Sequence, residues 1–287
     1  MRLLITGASG YLGRQLTAVA TTRGAEVWST YQAHPERITS GEPMHLDVAA
    51  PETPQRIIDL GPDAIIHTAA TNPGLPEAAM ERANIEGVRH VAKAARALDC
   101  RLIHISTDVV HDGSHAPYED DATANPLDNA YARSKATGES LVRQIAPSAA
   151  IVRVSLIYGT HDMDRGTAEF ARRLQAGGTV KLFRDQLRQP IDVVTLSQAL
   201  LRLTTLEYAG FLNVAGSQVS SRADFGTRML RWWGVEGVER VETIDAASIS
   251  ASIPLDLTLR LDRAREVLGM DLPGVDDVLA SARRTAR

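Results

Sequence analysis

Short apolar runs alternate with longer amphipathic segments through the first half of the chain. The runs have the length and the Val, Ile and Leu content of buried parallel strands, and they cover residues 3–6, 26–30, 44–47, 64–68, 102–106 and 151–154. Between the first two runs, Leu12, Leu16 and Val19 recur at helical spacing. Strands that alternate with helices indicate right-handed crossover connections, so the sequence predicts an α/β fold built on a doubly wound parallel sheet.

The pattern changes after about residue 159, where glycines separate shorter segments. This half predicts helices over 168–175, 195–206 and 221–233, and strands over 180–183, 191–194 and 211–214. We therefore expect two parts. Residues 1–158 would form the sheet domain and residues 159–287 mainly a smaller C-terminal lobe, with about 180–215 returning to the sheet domain.

Composition narrows the classes of protein that this chain can be. It has 287 residues, of which 44% are hydrophobic, and a net charge of −4, so it can bury a sizeable core and lacks the basic surplus typical of nucleic-acid binding. Cys100 is the single cysteine, which excludes an intramolecular disulfide and fits a reducing compartment. No run approaches the ~20 apolar residues of a membrane helix, and the N-terminal run is too short for a secretion signal. We expect a cytoplasmic protein whose partners include neither a membrane nor a nucleic acid.

A glycine-rich turn follows the first predicted strand and opens the first predicted helix. Gly7 permits the tight turn, Gly10 lets a pyrophosphate approach the backbone, and Gly13 allows the helix to pack closely on the strand. The helix start adds unpaired N–H groups and the positive end of a dipole. The strand–turn–helix setting makes this motif the fingerprint of a Rossmann-type site for a nicotinamide dinucleotide.

The ends of the next two strands bear on which dinucleotide is bound. A carboxylate usually ends the second strand of an NAD site and holds the ribose hydroxyls, but here that strand ends near Ser29 and Thr30. Either hydroxyl can bond a 2′-phosphate, and Arg37 follows seven residues after Thr30. We therefore expect NADP(H) to be preferred, with NAD(H) as the alternative.

Asp47, which ends the third strand, is expected to accept a hydrogen bond from the adenine amino group or else to cap a turn.

Tyr131 and Lys135 lie four residues apart in a predicted helix, so both side chains can face one cleft. A phenol with its usual pKa of about 10 is a poor acid–base group at neutral pH, and a nearby ammonium lowers that pKa. Tyr131 would then give a proton to a carbonyl oxygen as hydride arrives from the nicotinamide, and Lys135 would also hold the nicotinamide ribose. Thr107 stands at the end of a predicted strand, and its hydroxyl would fix the position of the same oxygen.

Two other chemistries have weaker support. The acidic stretch that includes Asp108, Asp112 and Glu119 fits a solvated loop better than a divalent-cation site, so no metal is expected. The sequence contains no Gly-x-Ser-x-Gly motif, which disfavours a serine hydrolase.

Together these motifs resemble the dTDP-4-dehydrorhamnose reductase family of the extended short-chain dehydrogenase/reductases. The string Ser-Thr-Asp-x-Val-x-Asp-Gly at 106–113 is the most specific part of a resemblance that covers nearly the whole chain. The matching segments are 7–13, 63–70, Asn84, 106–113, 131–135, 153–159, 189–191 and 261–269. The resemblance implies reduction of the 4-keto group of a nucleotide-linked 6-deoxyhexose, which would bind to the C-terminal lobe. A homodimer is one expectation, since many relatives pair through helices that flank the sheet.

The resemblance also implies which residues contact each ligand. The dinucleotide would be held by Gly10, Tyr11, Leu12, Asp47, Val48, Thr68, Ala69, Ala70, Tyr131 and Lys135. The sugar would face Thr107, Asp108 and Tyr131, with Leu156 at a position where the family often has Trp. Val109 and His111 stand where the family usually has Tyr and Phe, so the departures fall on the substrate side.

Two other functions stay open. One relative of the family is the regulatory β-subunit of methionine adenosyltransferase, which keeps the fold and the cofactor site, so a non-catalytic NADP-binding role is compatible with the intact Thr107, Tyr131 and Lys135. The other is a sugar-nucleotide epimerase or dehydratase with tightly held NAD. A dehydratase would be expected to carry more acid–base residues beside Thr107, and no Glu follows Asp108.

Overall fold

Strands and helices alternate along the chain in the order that the apolar pattern predicts. The computed structural model describes residues 1–250 and 252–285, so residues 251, 286 and 287 of the predicted C-terminal lobe lie outside the described part. Its strands are β1 (Arg2–Thr6), β2 (Glu26–Tyr31), β3 (Glu42–His45), β4 (Ala64–His67), β5 (Arg101–Thr107), β6 (Ala150–Val154), β7 (Ile157–Tyr158), β8 (Val180–Phe183), β9 (Leu187–Arg188), β10 (Ile191–Asp192), β11 (Gly210–Val214), β12 (Ser220–Ser221) and β13 (Val241–Ile244). Its helices are α1 (Tyr11–Thr22), α2 (Thr53–Leu60), α3 (Glu77–Glu81), α4 (Val88–Leu98), α5 (Ala130–Ile145), α6 (Arg165–Gln175), α7 (Val193–Leu203), α8 (Arg222–Trp232), α9 (Asp262–Leu268) and α10 (Val275–Thr285). None of the helices in this described part is long and apolar enough to span a bilayer.

The central sheet of the described residues has seven strands, all parallel, in the order β11-β6-β5-β4-β1-β2-β3. The chain builds outward from β1 to β3, and then returns to the other side of β1 to build from β4 to β11. This is the Rossmann-type doubly wound sheet that the sequence predicts, so the fold prediction is confirmed. In such sheets the point where the order reverses, here between β1 and β4, opens a crevice at the carboxyl ends of the strands.

Successive residues of β1 pack on opposite faces of the sheet. Leu3 and Ile5 belong to the core that α1 and α7 cover, whereas Leu4 belongs to the core that α2, α4 and α5 cover. All three side chains are completely buried. Because both faces of a parallel sheet are covered by helices, its strands are apolar without interruption. For this reason the apolar runs in the sequence predict the strands.

The second half of the chain contributes both to the sheet layers and to a smaller lobe. β11 pairs with β6, and α7 packs beside α1 in the core on that face. In the smaller lobe β8 pairs with β13, and Leu174 of α6 and Leu230 of α8 pack against Leu182 of β8. The division of the chain at residue 158 into two domains stays a prediction.

The strand predicted over 191–194 is wrong in its second half. β10 stops at Asp192, and α7 begins at Val193. The Asp192 carboxylate accepts hydrogen bonds from the N–H groups of Val194 and Thr195, at 3.1 and 3.0 Å, and so caps the helix. The sequence pattern predicted a strand here because Val193 and Val194, the first two residues of the helix, are β-branched and favour strands.

Candidate active site

A cleft of about 740 Å³ lies at the carboxyl ends of the sheet strands, where their order reverses. Its walls include residues that follow β1, β4 and β6, the last residues of β5, and part of the C-terminal lobe. Most of the residues predicted from the sequence to bind a ligand or act in catalysis line this one cleft: Gly7, Gly10, Tyr11, Leu12, Gly13, Thr30, Val48, Thr68, Ala69, Ala70, Thr107, Tyr131, Lys135 and Leu156. Their roles remain predictions, but the structure brings them together.

The glycine turn is shaped by backbone contacts that leave no room for side chains. Gly7 has a φ of +71°, and a Cβ built on it would lie 2.7 Å from Ala69 Cα. A Cβ on Gly13 would lie 2.2 Å from the Gly7 carbonyl oxygen. Gly10 precedes α1, and no side chain caps that helix. The N–H groups that begin α1 are therefore available at the cleft, as a phosphate site requires.

Thr30 supports the glycine turn from the neighbouring strand. Its hydroxyl accepts a hydrogen bond from the Gly7 N–H at 3.2 Å, and its carbonyl accepts one from the Ala8 N–H at 2.8 Å. The Thr30 side chain is buried. The hydroxyl that the sequence suggested for a 2′-phosphate is thus already engaged with the turn.

Val48 reaches the cleft, but the structure does not bring Asp47 to it. One Asp47 oxygen accepts a hydrogen bond from the Ala49 N–H at 3.0 Å, and the other forms an ion pair with Arg82. This is the turn-capping arrangement that the sequence left as the alternative for Asp47.

Helix α5 places Tyr131 and Lys135 on its cleft-facing side, one turn apart. The helix is capped by Asn129, whose side-chain oxygen accepts a hydrogen bond from the Ala132 N–H at 3.0 Å. The Lys135 amine donates to the Ile105 carbonyl at 2.6 Å, and the residue is 4% exposed. Burial lowers the pKa of Lys135 to about 8, against a smaller opposing effect of Glu139.

The Tyr131 phenol does not have the lowered pKa that the sequence led us to expect. Burial, and then the Asp108 carboxylate, raise the pKa of Tyr131 to about 12, while Arg188 and a hydrogen bond with Thr107 oppose this rise. The Lys135 amine is directed at the Ile105 carbonyl, and the cation that acts on the phenol is Arg188. The expectation that Lys135 acidifies Tyr131 is therefore wrong, and the phenol is protonated at neutral pH.

Asp108, predicted to face the sugar, is instead buried beneath the cleft wall. Its two oxygens accept hydrogen bonds from Arg188 Nε and Nη2, at 2.7 and 2.5 Å. Asp108 is 0% exposed, and Arg188 lines the cleft in its place. The Thr107 hydroxyl makes long contacts, to Asp108 at 3.3 Å and from the Val109 N–H at 3.4 Å, in addition to its hydrogen bond with the Tyr131 phenol.

Sequence reasoning missed the part of the cleft that comes from the C-terminal lobe. These residues are Gln186, Arg188, Ser252, Ile253 and Pro254. Arg188 stands in the polar stretch 184–189, in which Leu187 is the one apolar residue, so the local sequence pattern carries no signal that indicates it.

Apolar side chains from two parts of the chain contribute to the cleft wall. Val109, Leu156 and Ile157 follow β5 and β6 in the chain, and Ile253 and Pro254 come from the C-terminal lobe.

His111, the other departure from the family pattern, lies away from the cleft. Its ring stacks on Tyr118, with the centroids 4.0 Å apart, and it is buried. Among the described residues, no group of three or more His, Cys, Asp or Glu side chains is arranged to hold a metal ion.

A cleft over the reversal point of a doubly wound sheet, lined both by an open helix start and by a Tyr–Lys pair, defines an extended short-chain dehydrogenase/reductase. The family model described as the RmlD substrate binding domain matches residues 1–284. The chain belongs to this family, as the sequence resemblance predicts.

Individual relatives agree with this assignment. A dTDP-4-dehydrorhamnose reductase of Mycobacterium tuberculosis is 34% identical over 264 residues, which cover 88% of this chain and 82% of that protein. A crystal structure from Sulfolobus tokodaii, named a hypothetical dTDP-4-dehydrorhamnose reductase, has a TM-score of 0.80 and 30% identity over 96% of this chain and 98% of that one. A dTDP-4-dehydrorhamnose reductase of Bacillus anthracis, solved with NADP, has a TM-score of 0.81 and 22% identity over 100% of this chain and 99% of that one.

Proposed function

We propose that this chain reduces the keto group of a nucleotide-linked 6-deoxyhexose with NADPH, and that dTDP-4-dehydrorhamnose is the first substrate to test. The observation that carries the proposal is that Thr107, Tyr131 and Lys135 line the same cleft as the glycine turn. The M. tuberculosis relative, at 34% identity, carries the name of this activity.

The residues at the glycine turn fit a dinucleotide. The close approach of Gly13 to the Gly7 carbonyl brings the start of α1 against the turn, so its free N–H groups can bind a diphosphate. Ala69 and Ala70 line the same cleft as Lys135, whose amine would hold the nicotinamide ribose. The reduced nicotinamide, when bound there, supplies the hydride.

Tyr131 is in the protonation state that an acid needs for carbonyl reduction. Because its pKa is raised to about 12, the phenol carries its proton throughout the neutral range and can donate it to the keto oxygen. After donation, the positive charge of Arg188 favours the phenolate. The Thr107 hydroxyl, which is hydrogen-bonded with this phenol, lies where it can bind the same keto oxygen and fix its position.

The apolar residues of the cleft wall suit a deoxygenated sugar. Leu156, Ile157 and Ile253 offer apolar surface, against which the methyl group of a 6-deoxyhexose can pack. They also help to exclude water from the site where the proton and hydride are delivered.

The dehydratase alternative is disfavoured by the state of Asp108. Such an enzyme needs a mobile acid–base group beside Thr107, and the Asp108 carboxylate is fully buried with both oxygens bonded to Arg188. A regulatory role makes a different prediction, which is dinucleotide binding without turnover.

The proposal is tested by following NADPH oxidation with dTDP-4-dehydrorhamnose and with UDP- and GDP-linked 4-keto sugars. We expect turnover with a dTDP-linked substrate, and Tyr131→Phe should lower kcat by about 10²- to 10⁴-fold while the Kd for NADPH stays within about twofold. Tyr208→Phe is the matched control, because it removes a phenol hydroxyl that donates to the Phe211 carbonyl outside the cleft. Tight NADPH binding with no turnover of any keto sugar would instead support the regulatory role.

A further inference from the structure

A separate cavity of about 420 Å³ lies at the amino edge of the sheet, whereas the cleft lies at the carboxyl ends of the strands. Its walls come from the residue before β1, from the C-terminal ends of α1 and α7, and from Met270, which follows the end of α9. None of its lining residues lines the cleft or takes part in the proposed reaction. Its volume is that of a pocket for a small organic ligand.

Two arginines line this cavity, and no Asp or Glu of the described residues does. Arg23 follows the last turn of α1, and Arg202 lies in the last turn of α7. Within residues 1–250 and 252–285, neither guanidinium has an ion pair or a hydrogen-bond partner. Like charges that share a site repel each other, and a bound anion would remove that repulsion.

The Arg202 guanidinium lies against the end of α9. Gly269 ends that helix with a φ of +53°, and a Cβ built on it would lie 3.1 Å from Arg202 Nη2 and 3.9 Å from Arg202 Cζ. The guanidinium therefore packs on the Gly269 backbone, next to Met270 of the cavity wall. A larger residue at position 269 would press on it.

The two arginines are not needed to cap the helices on which they stand. The last carbonyls of a helix are the groups that an arginine there would bond. At the end of α1, the Ala20 carbonyl accepts the Ala25 N–H at 3.1 Å. At the end of α7, the Leu201 and Arg202 carbonyls accept the hydroxyls of the two threonines that follow, at 2.7 and 3.0 Å. Both guanidiniums are therefore available to a ligand.

The lining also indicates the class of anion. A guanidinium matches the oxygens of a carboxylate or a phosphate. Two guanidiniums in one cavity favour a phosphate monoester, which carries nearly two negative charges at neutral pH. The cavity is larger than a bare ion requires, and Ala20, Leu201 and Met270 offer apolar surface to an organic group.

We infer that this cavity, called here the amino-edge site, binds an organic phosphate monoester. The phosphate is held by Arg23 and Arg202, and the organic group packs on the apolar floor. Gln198 adds a side-chain amide that has no partner among the described residues and can bond a polar group of the ligand. The inference goes beyond the proposed reductase activity and does not depend on it.

The test measures the binding of phenyl phosphate by isothermal titration calorimetry, at about pH 7.5 so that the probe is a dianion. We expect the wild type to bind phenyl phosphate about fivefold more tightly than inorganic phosphate, which lacks the apolar group, and than benzoate, which carries a single charge. Arg23→Gln and Arg202→Gln should each weaken the binding of phenyl phosphate by about fivefold. Arg202→Lys, which keeps the charge and loses the planar fork, should fall between Arg202→Gln and the wild type.

Arg96→Gln is the matched control. Arg96 is likewise an exposed arginine in the last turn of a helix, α4, but it lines neither cavity. This variant should bind phenyl phosphate as the wild type does. Circular dichroism should show the same fold in all variants, because the substituted side chains are exposed.

The inference is overturned if the wild type does not bind phenyl phosphate, or if inorganic phosphate or benzoate binds as tightly. It is also overturned if Arg23→Gln or Arg202→Gln binds the probe as the wild type does, since the probe is then bound elsewhere, or if Arg96→Gln weakens the binding equally. None of these outcomes affects the reductase proposal, which is tested by the turnover of keto sugars.

Discussion

The Arg188 guanidinium is locked to the Asp108 carboxylate by two hydrogen bonds, at 2.7 and 2.5 Å, where the end of β5 meets β9 of the C-terminal lobe. Neither side chain is more than 8% exposed. Both residues also act on the Tyr131 phenol, with opposite signs. The pair therefore joins the two walls of the cleft and sets the charge beneath the proposed proton donor.

Breaking this pair should destabilise the protein strongly. Arg188→Leu leaves the Asp108 carboxylate buried without a partner, and we expect the free energy of unfolding to fall by about 3–5 kcal/mol. The measurement is urea unfolding followed by circular dichroism. The exposed pair of Arg184 and Asp245 gives a control, since Arg184→Leu should leave the urea midpoint close to that of the wild type.

The double variant Arg188→Leu with Asp108→Leu should recover most of the lost stability, because neither charge is then buried alone. If Arg188→Leu costs no more than Arg184→Leu, the buried pair does not join the two walls in the way described.

Replacement of Lys135 should raise the free energy of unfolding and weaken the binding of NADPH. Burial lowers the pKa of Lys135 from 10.5 to about 8, so below pH 8 the folded protein carries a cost for holding the charged amine. We expect Lys135→Met to be more stable than the wild type at pH 7 by about 1–3 kcal/mol. It should also bind NADPH more weakly.

The sign of the pH dependence follows from the lowered pKa. Between pH 8 and 10.5 the unfolded chain binds a proton at this lysine that the folded chain does not, so the wild type gains stability relative to Lys135→Met as the pH rises. Unfolding free energies measured from pH 7 to pH 10 should show the difference shrinking. The exposed Lys93→Met is the control and should show no such trend; an unchanging difference for Lys135→Met would contradict the burial argument.

Thr30 should matter equally for both dinucleotides. Its hydroxyl accepts the Gly7 N–H, so Thr30→Val leaves that donor unpaired and loosens the turn. The loss of about 1 kcal/mol should weaken NADPH and NADH by roughly fivefold each. Thr30→Ser keeps the hydroxyl and should bind both as the wild type does. A loss confined to NADPH would show that Thr30 contacts the 2′-phosphate after all.

The parts of the fold that could be predicted are those that depend on the spacing of apolar residues and glycines over a few neighbouring positions. The strands of the sheet read as apolar runs because both faces are covered, as Leu3 and Leu4 show by packing on opposite sides. The glycine turn was equally readable, since the contact between Gly13 and the Gly7 carbonyl excludes every other residue. Both signals depend on neighbours only a few positions away in the chain.

The substrate side could not be predicted in the same way because it depends on contacts between distant segments. Arg188 contacts Asp108, which lies 80 positions earlier in the chain. Because of this ion pair, Asp108 is buried and does not line the cleft, although the sequence predicted that it faces the sugar. The Tyr131 pKa likewise depends on burial and on Asp108, neither of which appears in the spacing from Tyr131 to Lys135. A motif gives the residue types, but the charges around them come from the fold.

The return of the chain to the sheet has a practical consequence for dissecting the protein. A fragment ending at residue 158 would lack β11, whose Phe211 ring covers the buried Arg153 guanidinium at 4.2 Å, and would leave β6 as an unpaired edge. Such an edge is a template for aggregation. A fragment with the dinucleotide-binding residues alone would therefore not be expected to fold well. A chimera that exchanges substrate lobes needs at least three junctions, because β8 precedes β11 in the chain whereas its partner strand β13 and helix α8 follow β11.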